Sequence, residues 1–153
     1  MEIPKPAKGQ ALIRVHYSTV NPYDRICFDK TEEGFILGCD GAGIVEAVGE
    51  CVSESLIGKK VAFLGGAWTN YTVKEADYLV LFPDSFDLKY AANTYVNPFT
   101  VTAMLDFSIK NNAKAVVLTA ASSQLNKMMI KMCKLHGIQT VNIVHRESQV
   151  KDL

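Results

Sequence analysis

The sequence predicts an α+β and α/β combination: a small antiparallel β-barrel followed by one parallel strand–helix–strand unit. Short apolar segments separated by glycine turns fill the first half of the chain, which is typical of a small barrel. The hydrophobic period changes at Asp87 from the period of a strand to that of a helix. We therefore predict a barrel over residues 1–90, and linker helices with a partial α/β unit over residues 91–153.

The barrel strands are predicted where apolar and aromatic residues favour an extended chain between glycine-containing turns. The segments are residues 11–18, 43–48, 58–64, 68–73 and 78–82. Glycines at positions 38–49 could suggest a phosphate loop, but a phosphate loop follows a strand and opens a helix. Here the glycines open an apolar β-segment instead, and this favours tight barrel turns.

The α/β unit is predicted from a strand, a turn, an amphipathic helix and a second strand within residues 115–144. Residues 115–119 lack polar alternation, so we expect a parallel strand that is buried on both faces. Gly137 is expected to end the helix in the left-handed conformation. An earlier helix is predicted from Pro98, with Asn97 as its N-cap. The apolar face of the amphipathic helix is expected to contain Leu125, Met128, Met129, Met132 and His136.

Charge and hydropathy exclude several classes of function. The 16 basic residues balance the 16 acidic ones, so the net charge does not favour a nucleic-acid partner. No run of 18 apolar residues predicts membrane insertion, and the first residues resemble neither a signal nor a transit peptide. We expect a soluble intracellular protein, either cytoplasmic or mitochondrial.

The cysteines and histidines do not form a metal motif. No CxxC pair occurs, and no histidine stands at ligand spacing from a cysteine, which argues against a structural zinc site or a redox dithiol. We expect reduced, mostly buried thiols, and structural or solvent roles for the histidines. The residues concerned are Cys27, Cys39, Cys51 and Cys133, with His16, His136 and His145.

The order of motifs resembles the medium-chain dehydrogenase/reductase superfamily, and most closely its zinc-independent quinone reductase and enoyl-thioester reductase branches. The resemblance covers nearly the whole chain. Its most specific part is Val96-Asn-Pro-x-Thr, together with Thr140-Val-Asn-Ile-Val followed by a basic pair. The other motifs are Asn21-Pro-x-Asp, Gly38-x-Asp-Gly-Ala-Gly-x-Val, Gly58-x-x-Val, Trp68-x-x-Tyr and Phe82-Pro-Asp.

The resemblance implies a GroES-like barrel followed by the first βαβ unit of a Rossmann fold, with NAD(P)H bound between the two parts. Zinc-dependent members of the superfamily have a cysteine where this chain has Asn21 and a histidine where it has Cys39. They also carry a four-cysteine lobe, which this sequence lacks. The resemblance therefore implies that neither catalytic nor structural zinc is bound.

The resemblance also assigns candidate cofactor residues. It places Asn97 and Thr100 near the nicotinamide. His145 and Arg146 stand at the tip of the second Rossmann strand, where basic residues favour the extra phosphate of NADP(H). The pyrophosphate turn would contain Ser122, Ser123, Gln124, Leu125 and Asn126.

Two departures from the resembled branches concern the chemistry. Gln124 and Asn126 replace residues that are usually glycine, so a Cβ stands where the pyrophosphate approaches the backbone. Asn126 is expected to escape part of this restriction, because asparagine tolerates positive φ. The enoyl reductases also carry a tyrosine acid in the loop before the Gly-x-Asp-Gly segment, whereas residues 25–37 contain none. The catalytic residues are therefore unknown.

A third departure concerns completeness, because the resemblance reaches only the second Rossmann strand. An apolar strand with a bare face needs a cover, so we expect another protein chain against the sheet, in a homo-oligomer or in a larger complex.

Three functions remain open at this point. They are part of an NADPH-linked reductase of quinones, enones or enoyl thioesters, an inactive structural subunit, and an NADP(H) sensor that binds without catalysis.

Overall fold

The computed structural model describes residues 3–153, apart from the side chain of residue 152. It divides into two compact units, Met1–Tyr95 and Val96–Leu153. The described helices include none that is long and apolar enough to cross a membrane.

The first unit is built on a five-stranded antiparallel sheet with the strand order β4-β1-β2-β3-β5. Its strands occur at the predicted places, which confirms the predicted class of this half. Two short helices accompany the sheet, α1 (Pro22–Phe28) and α2 (Leu88–Ala91). The strands are β1 (Gln10–Ser18), β2 (Asp40–Val48), β3 (Lys60–Leu64), β4 (Tyr71–Glu75) and β5 (Val80–Phe82).

The larger hydrophobic cluster of this unit lies on one face of the three central strands, and a smaller one joins Ala42 of β2 to α2. Ile13, Val45 and Val61 are almost fully buried in the larger cluster, with Phe63 beside them. Gly43 of β2 lies opposite Val15 of β1. A Cβ atom on residue 43 would lie only 2.1 Å from the carbonyl oxygen of Arg14. This glycine therefore allows two strands to approach closely, as expected for a structural glycine rather than a phosphate loop.

The second unit contains the predicted strand–helix–strand arrangement. The helix α3 (Val96–Lys110) precedes β6 (Ala115–Leu118), α4 (Gln124–Leu135) and β7 (Gln139–Asn142). The strands β6 and β7 are parallel, with Val117 opposite Val141. Gly137 has a φ of 69°, which confirms the predicted left-handed end of α4. The predicted class of fold is thus confirmed in this half as well.

One face of the two-stranded sheet is covered and the other is not. Leu118 and Val116 pack into a core with α3 and α4. On the opposite face Val117, Val141 and Ile143 are 64%, 53% and 49% exposed. The prediction that residues 115–119 are buried on both faces is therefore wrong, because the helices of this unit pack only against the first face.

The buried face of α4 also differs in part from the prediction. Met129 is buried as expected, but Asn126 and Cys133 are buried with it, whereas His136 is exposed. His136 lies at the C-cap, where the helix ends and its side chain leaves the core. The expectation of mostly buried thiols is also wrong, because Cys133 alone among the cysteines is buried, and Cys51 is exposed.

Candidate cofactor-binding site

The turn between β6 and α4 is the centre of the candidate site. The strand ends at Leu118, and Ala120 then adopts a φ of 53°, the left-handed conformation that usually requires glycine. The backbone N–H of Ala121 donates to the carbonyl of Ile143 at 2.9 Å, which ties the turn to the end of β7. The chain therefore makes the tight turn without glycine by using alanine as its left-handed residue.

Ser123 caps α4 and begins the helix. Its hydroxyl oxygen accepts a hydrogen bond from the backbone N–H of Asn126 at 3.3 Å. The backbone N–H groups of Gln124 and Leu125, in the first turn of the helix, make no hydrogen bond to any residue that the structure describes. These two amides are therefore available as donors to an anion at the positive end of the helix dipole.

Asn126 closes the turn from the inside. Its Nδ2 atom donates to the carbonyl oxygens of Thr119 at 2.8 Å and of Ala120 at 3.3 Å, and the residue is only 8% exposed. Asn126 lies within α4 and is not among the described non-glycine residues with positive φ, so the expectation that it uses such a conformation is wrong. Its side chain points at the turn's own carbonyl groups and is buried there.

Gln124 occupies the first position of α4 and is exposed. Leu125 follows it and packs in part against the core of the unit. The first turn of the helix thus has one side chain directed to solvent, one directed to the core and one, that of Asn126, directed to the preceding turn.

The basic pair lies a few residues beyond the end of β7, in a segment that is fixed by a residue that the sequence did not single out. His145 and Arg146 have exposed side chains. Their backbone N–H groups both donate to Oε1 of Gln149, at 3.2 Å and 3.0 Å, and Nε2 of Gln149 donates to the hydroxyl of Ser122 at 2.9 Å. Gln149 therefore joins the strand tip to the turn. The available signal was a glutamine three residues after Arg146, the spacing of a capping box.

The remaining candidate residues, Asn97 and Thr100, lie in the first turns of α3. The helix begins at Val96, so Asn97 is inside it and the prediction that Asn97 is the N-cap is wrong. The hydroxyl of Thr100 donates to the Val96 carbonyl at 2.6 Å, within its own helix. The structure therefore places both residues on α3, and the Thr100 hydroxyl is bonded within that helix.

The donors around the turn suit a phosphate group. The hydroxyls of Ser122 and Ser123 each accept a hydrogen bond from the protein, and within residues 3–153 neither hydroxyl proton has an acceptor. Two helix N-terminal amides and the guanidinium of Arg146 complete a donor set that matches oxyanions.

Asp24 is hydrogen-bonded to Asn21 and Cys39, the two positions that the resemblance associates with zinc in zinc-dependent members. Asp24 is buried, and its two oxygens accept the backbone N–H of Asn21 at 2.6 Å and of Cys39 at 2.9 Å. Burial, together with the hydrogen bond and the charge of Asp24, raises the pKa of the Cys39 thiol to about 12. No group of three potential metal ligands occurs among the described residues. Since zinc binds the thiolate, the raised pKa of Cys39 lowers the fraction of the metal-binding form.

Comparison with known proteins identifies the family. The model of the alcohol dehydrogenase GroES-like domain matches residues 7–84, about half of the chain. The chain belongs to the medium-chain dehydrogenase/reductase superfamily. Its relatives in this superfamily include a quinone oxidoreductase of Sus scrofa, 29% identical over 95% of this chain and 47% of the relative. A mitochondrial enoyl-[acyl-carrier-protein] reductase of Arabidopsis thaliana is 34% identical over 70% of this chain and 30% of the relative.

Solved structures of the superfamily agree with the fold. A Mesorhizobium loti protein of the NADPH:quinone reductase type is 34% identical, with a TM-score of 0.84 over 97% of this chain and 46% of the other. The Escherichia coli quinone oxidoreductase complexed with NADPH has a TM-score of 0.83 over 99% of this chain and 49% of the other, and at 19% identity it shows the fold alone. The chain spans about half the length of the curated relatives it covers most fully.

The role of Asn126 can be tested by substitution. Asn126→Ala removes both donors to the turn carbonyls, so we expect the free energy of unfolding to fall by about 1–3 kcal/mol, the cost of leaving partly buried acceptors unpaired. Gln124→Ala changes an exposed residue of the same helical turn and is expected to cost no more than about 0.5 kcal/mol. Urea unfolding followed by circular dichroism measures both. Equal costs for the two variants would contradict the assigned role.

The environment of Cys39 predicts its reactivity. A thiol with a raised pKa holds less thiolate at pH 8, and a pKa of about 12 leaves a thiolate fraction roughly a thousandfold below that of an ordinary cysteine. We expect iodoacetamide to alkylate Cys39 far more slowly than the exposed Cys51, as measured by peptide mass spectrometry over time. Comparable rates for the two thiols at pH 8 would show that Asp24 and burial do not suppress ionisation.

Proposed function

We propose that this chain supplies the substrate-side sheet and the first cofactor-binding unit of an NADPH-linked, zinc-independent reductase. Its substrates would be activated carbon–carbon double bonds, as in quinones, enones or enoyl thioesters. The donor set at the turn between β6 and α4 carries the proposal, because two hydroxyls and two helix amides lie in this turn and Gln149 joins it to the basic pair. Quinone oxidoreductases and enoyl reductases among the relatives support the reaction class.

The residues of this chain would bind and orient the cofactor. NADPH, when bound, supplies the hydride, and the protein supplies position and electrostatics. The amides of Gln124 and Leu125, with the hydroxyl of Ser123, would hold the pyrophosphate at the N-terminus of α4. Arg146 would recognise the 2′-phosphate, for which a guanidinium provides paired donors. Asn97 and Thr100 would lie towards the nicotinamide end.

The buried Asn126 removes part of the objection raised by the absence of glycine. Its Nδ2 atom donates to the carbonyls of Thr119 and Ala120, so the side chain is held within the turn and is not free to project beyond it. The exposed side chain of Gln124 is not held by any hydrogen bond to the described residues, so it is able to turn away from a bound phosphate.

Cofactor binding is tested directly by titration of NADPH, followed by its fluorescence. Arg146→Ala is expected to weaken NADPH binding by about tenfold and to leave NADH binding nearly unchanged, because the lost contact is to the 2′-phosphate alone. Lys131→Ala, an exposed lysine on α4, serves as a control for loss of one positive charge and is expected to change neither affinity. Absence of saturable NADPH binding by the wild-type chain would contradict the proposal.

A second candidate function is that of a catalytically inactive structural subunit. The specific observation in its favour is the apolar face formed by Val117, Val141 and Ile143, which no described residue of the second unit covers. Fully burying an exposed apolar side chain is worth about 1.5–3 kcal/mol. Because these three side chains are already about half buried, a cover of this face would contribute roughly 2–5 kcal/mol, a substantial fraction of a domain's net stability. We propose that another protein chain covers it. In an inactive subunit, this contact would be retained while turnover is lost.

The covering chain is tested by a charge on the apolar face. Val117→Lys is expected to leave the fold stable, since the side chain is 64% exposed, and to convert an aggregating or oligomeric chain into a monomer. Size-exclusion chromatography with light scattering measures the change. Leu135→Lys, at an exposed site on α4, is the matched control and should leave the assembly intact. A wild-type chain that is monomeric and turns over NADPH would exclude the structural-subunit function.

A further inference from the structure

The side chain of Gln149 has a fixed orientation. Its Oε1 atom lies 3.2 Å from the backbone nitrogen of His145 and 3.0 Å from that of Arg146. A backbone N–H can only donate, so the atom that faces both groups must be the amide oxygen. The amide nitrogen consequently faces Ser122, 2.9 Å from its hydroxyl oxygen.

This orientation determines the direction of the Ser122 proton. Because Nε2 of Gln149 donates, the hydroxyl oxygen of Ser122 accepts, and its proton must point to another acceptor. No atom in the described part of the chain accepts that proton. The half-buried Ser122 hydroxyl therefore accepts from Gln149 and retains its proton for an acceptor outside the described residues.

The same contacts locate this donor at the strand tip. The amide nitrogen of Gln149 contacts the Ser122 hydroxyl, and its amide oxygen contacts the backbone N–H groups of His145 and Arg146. A single side-chain amide therefore bridges the Ser122 hydroxyl and the backbone of the basic pair. Gln149 also occupies both tip amides, so an anion at the tip must be recognised by side chains. The Ser122 hydroxyl is one such group, and the Arg146 guanidinium is another.

We propose that the Ser122 hydroxyl, oriented by Gln149, is a selectivity contact for the 2′-phosphate of NADP(H), and that Gln149 is a positioning residue for it. This inference rests on the proposed function, namely that the chain binds NADP(H). It goes beyond it by assigning the preference for NADPH over NADH to a hydroxyl of the turn as well as to the basic pair. A hydroxyl that donates to a phosphate dianion makes a charge-assisted hydrogen bond.

Gln149→Glu is the informative variant. A glutamate keeps an oxygen for the amides of His145 and Arg146, so the tip should remain folded. A carboxylate cannot donate to Ser122, however, so the serine proton turns to the carboxylate and is withdrawn from the cofactor. We expect NADPH to bind at least tenfold more weakly, with NADH binding unchanged within about twofold. Ser122→Ala should produce a loss of NADPH affinity of about tenfold and likewise spare NADH.

The negative charge introduced by Gln149→Glu needs its own control. Ser148→Glu places the same charge one residue away on an exposed position and leaves Gln149 intact. We expect it to weaken NADPH binding less than Gln149→Glu does. The double variant Ser122→Ala/Gln149→Glu should bind NADPH no more weakly than Gln149→Glu alone, since the two residues act through one contact.

Binding of NADPH and NADH to the full 153-residue chain is measured by fluorescence titration, and amide hydrogen exchange at His145 and Arg146 reports on the fold. Protection of these amides should survive Gln149→Glu and be lost in Gln149→Met. Equal weakening of both cofactors by Ser122→Ala, or losses that multiply in the double variant, would overturn the inference while leaving NADPH binding established. Failure of the wild-type chain to bind NADPH would overturn the proposed function together with the inference.

Discussion

The candidate site depends on how the chain satisfies the polar backbone of a tight strand-to-helix turn without glycine. A buried carbonyl that lacks a partner costs free energy comparable to a lost hydrogen bond, so the turn after β6 requires donors. Asn126 provides them to Thr119 and Ala120 from within α4. Its backbone N–H in turn donates to the cap formed by Ser123. One residue therefore stabilises both the turn and the start of the helix.

The order of hydrogen bonds around the turn has a consequence for recognition. The hydroxyls of Ser122 and Ser123 both accept from donors of the protein, so both retain a proton for a ligand. Hydroxyls that donated to backbone carbonyls would instead present lone pairs and would repel a phosphate. The turn is therefore organised for an anion by the direction of its donors as well as by the dipole of α4. Arg146 adds a positive charge at the adjacent tip.

Much of the fold could be predicted because hydrophobic period and glycine placement act locally. The change of period at Asp87, the turn at Gly137 and the amphipathic α4 each follow from a few neighbouring residues. The orientation of Asn126 could not be predicted in this way, because a resemblance to families with glycine at that position indicates a steric obstacle, whereas packing decides where the side chain points. Gln149 was missed for a related reason, since its partner Ser122 is 27 residues away along the chain. One face of β6 is exposed although both were predicted to be buried. An apolar strand sequence indicates that both faces favour burial, but it does not indicate which neighbouring element covers each face.

The uncovered face and the candidate site are connected through β7. Val141 and Ile143 expose their side chains on this face, and Ile143 also accepts the backbone N–H of Ala121 and donates its own N–H to Leu118. The segment that carries the exposed apolar side chains is thus also hydrogen-bonded to the turn and leads directly to the basic pair. A two-stranded sheet with one open face has little packing to keep its second strand in register. Any group that covers Val141 and Ile143 therefore also stabilises the positions of Ala121 and His145. Covering the sheet and binding an anion at the turn are then expected to favour each other, because each orders the same strand and reduces the entropy that the other must overcome.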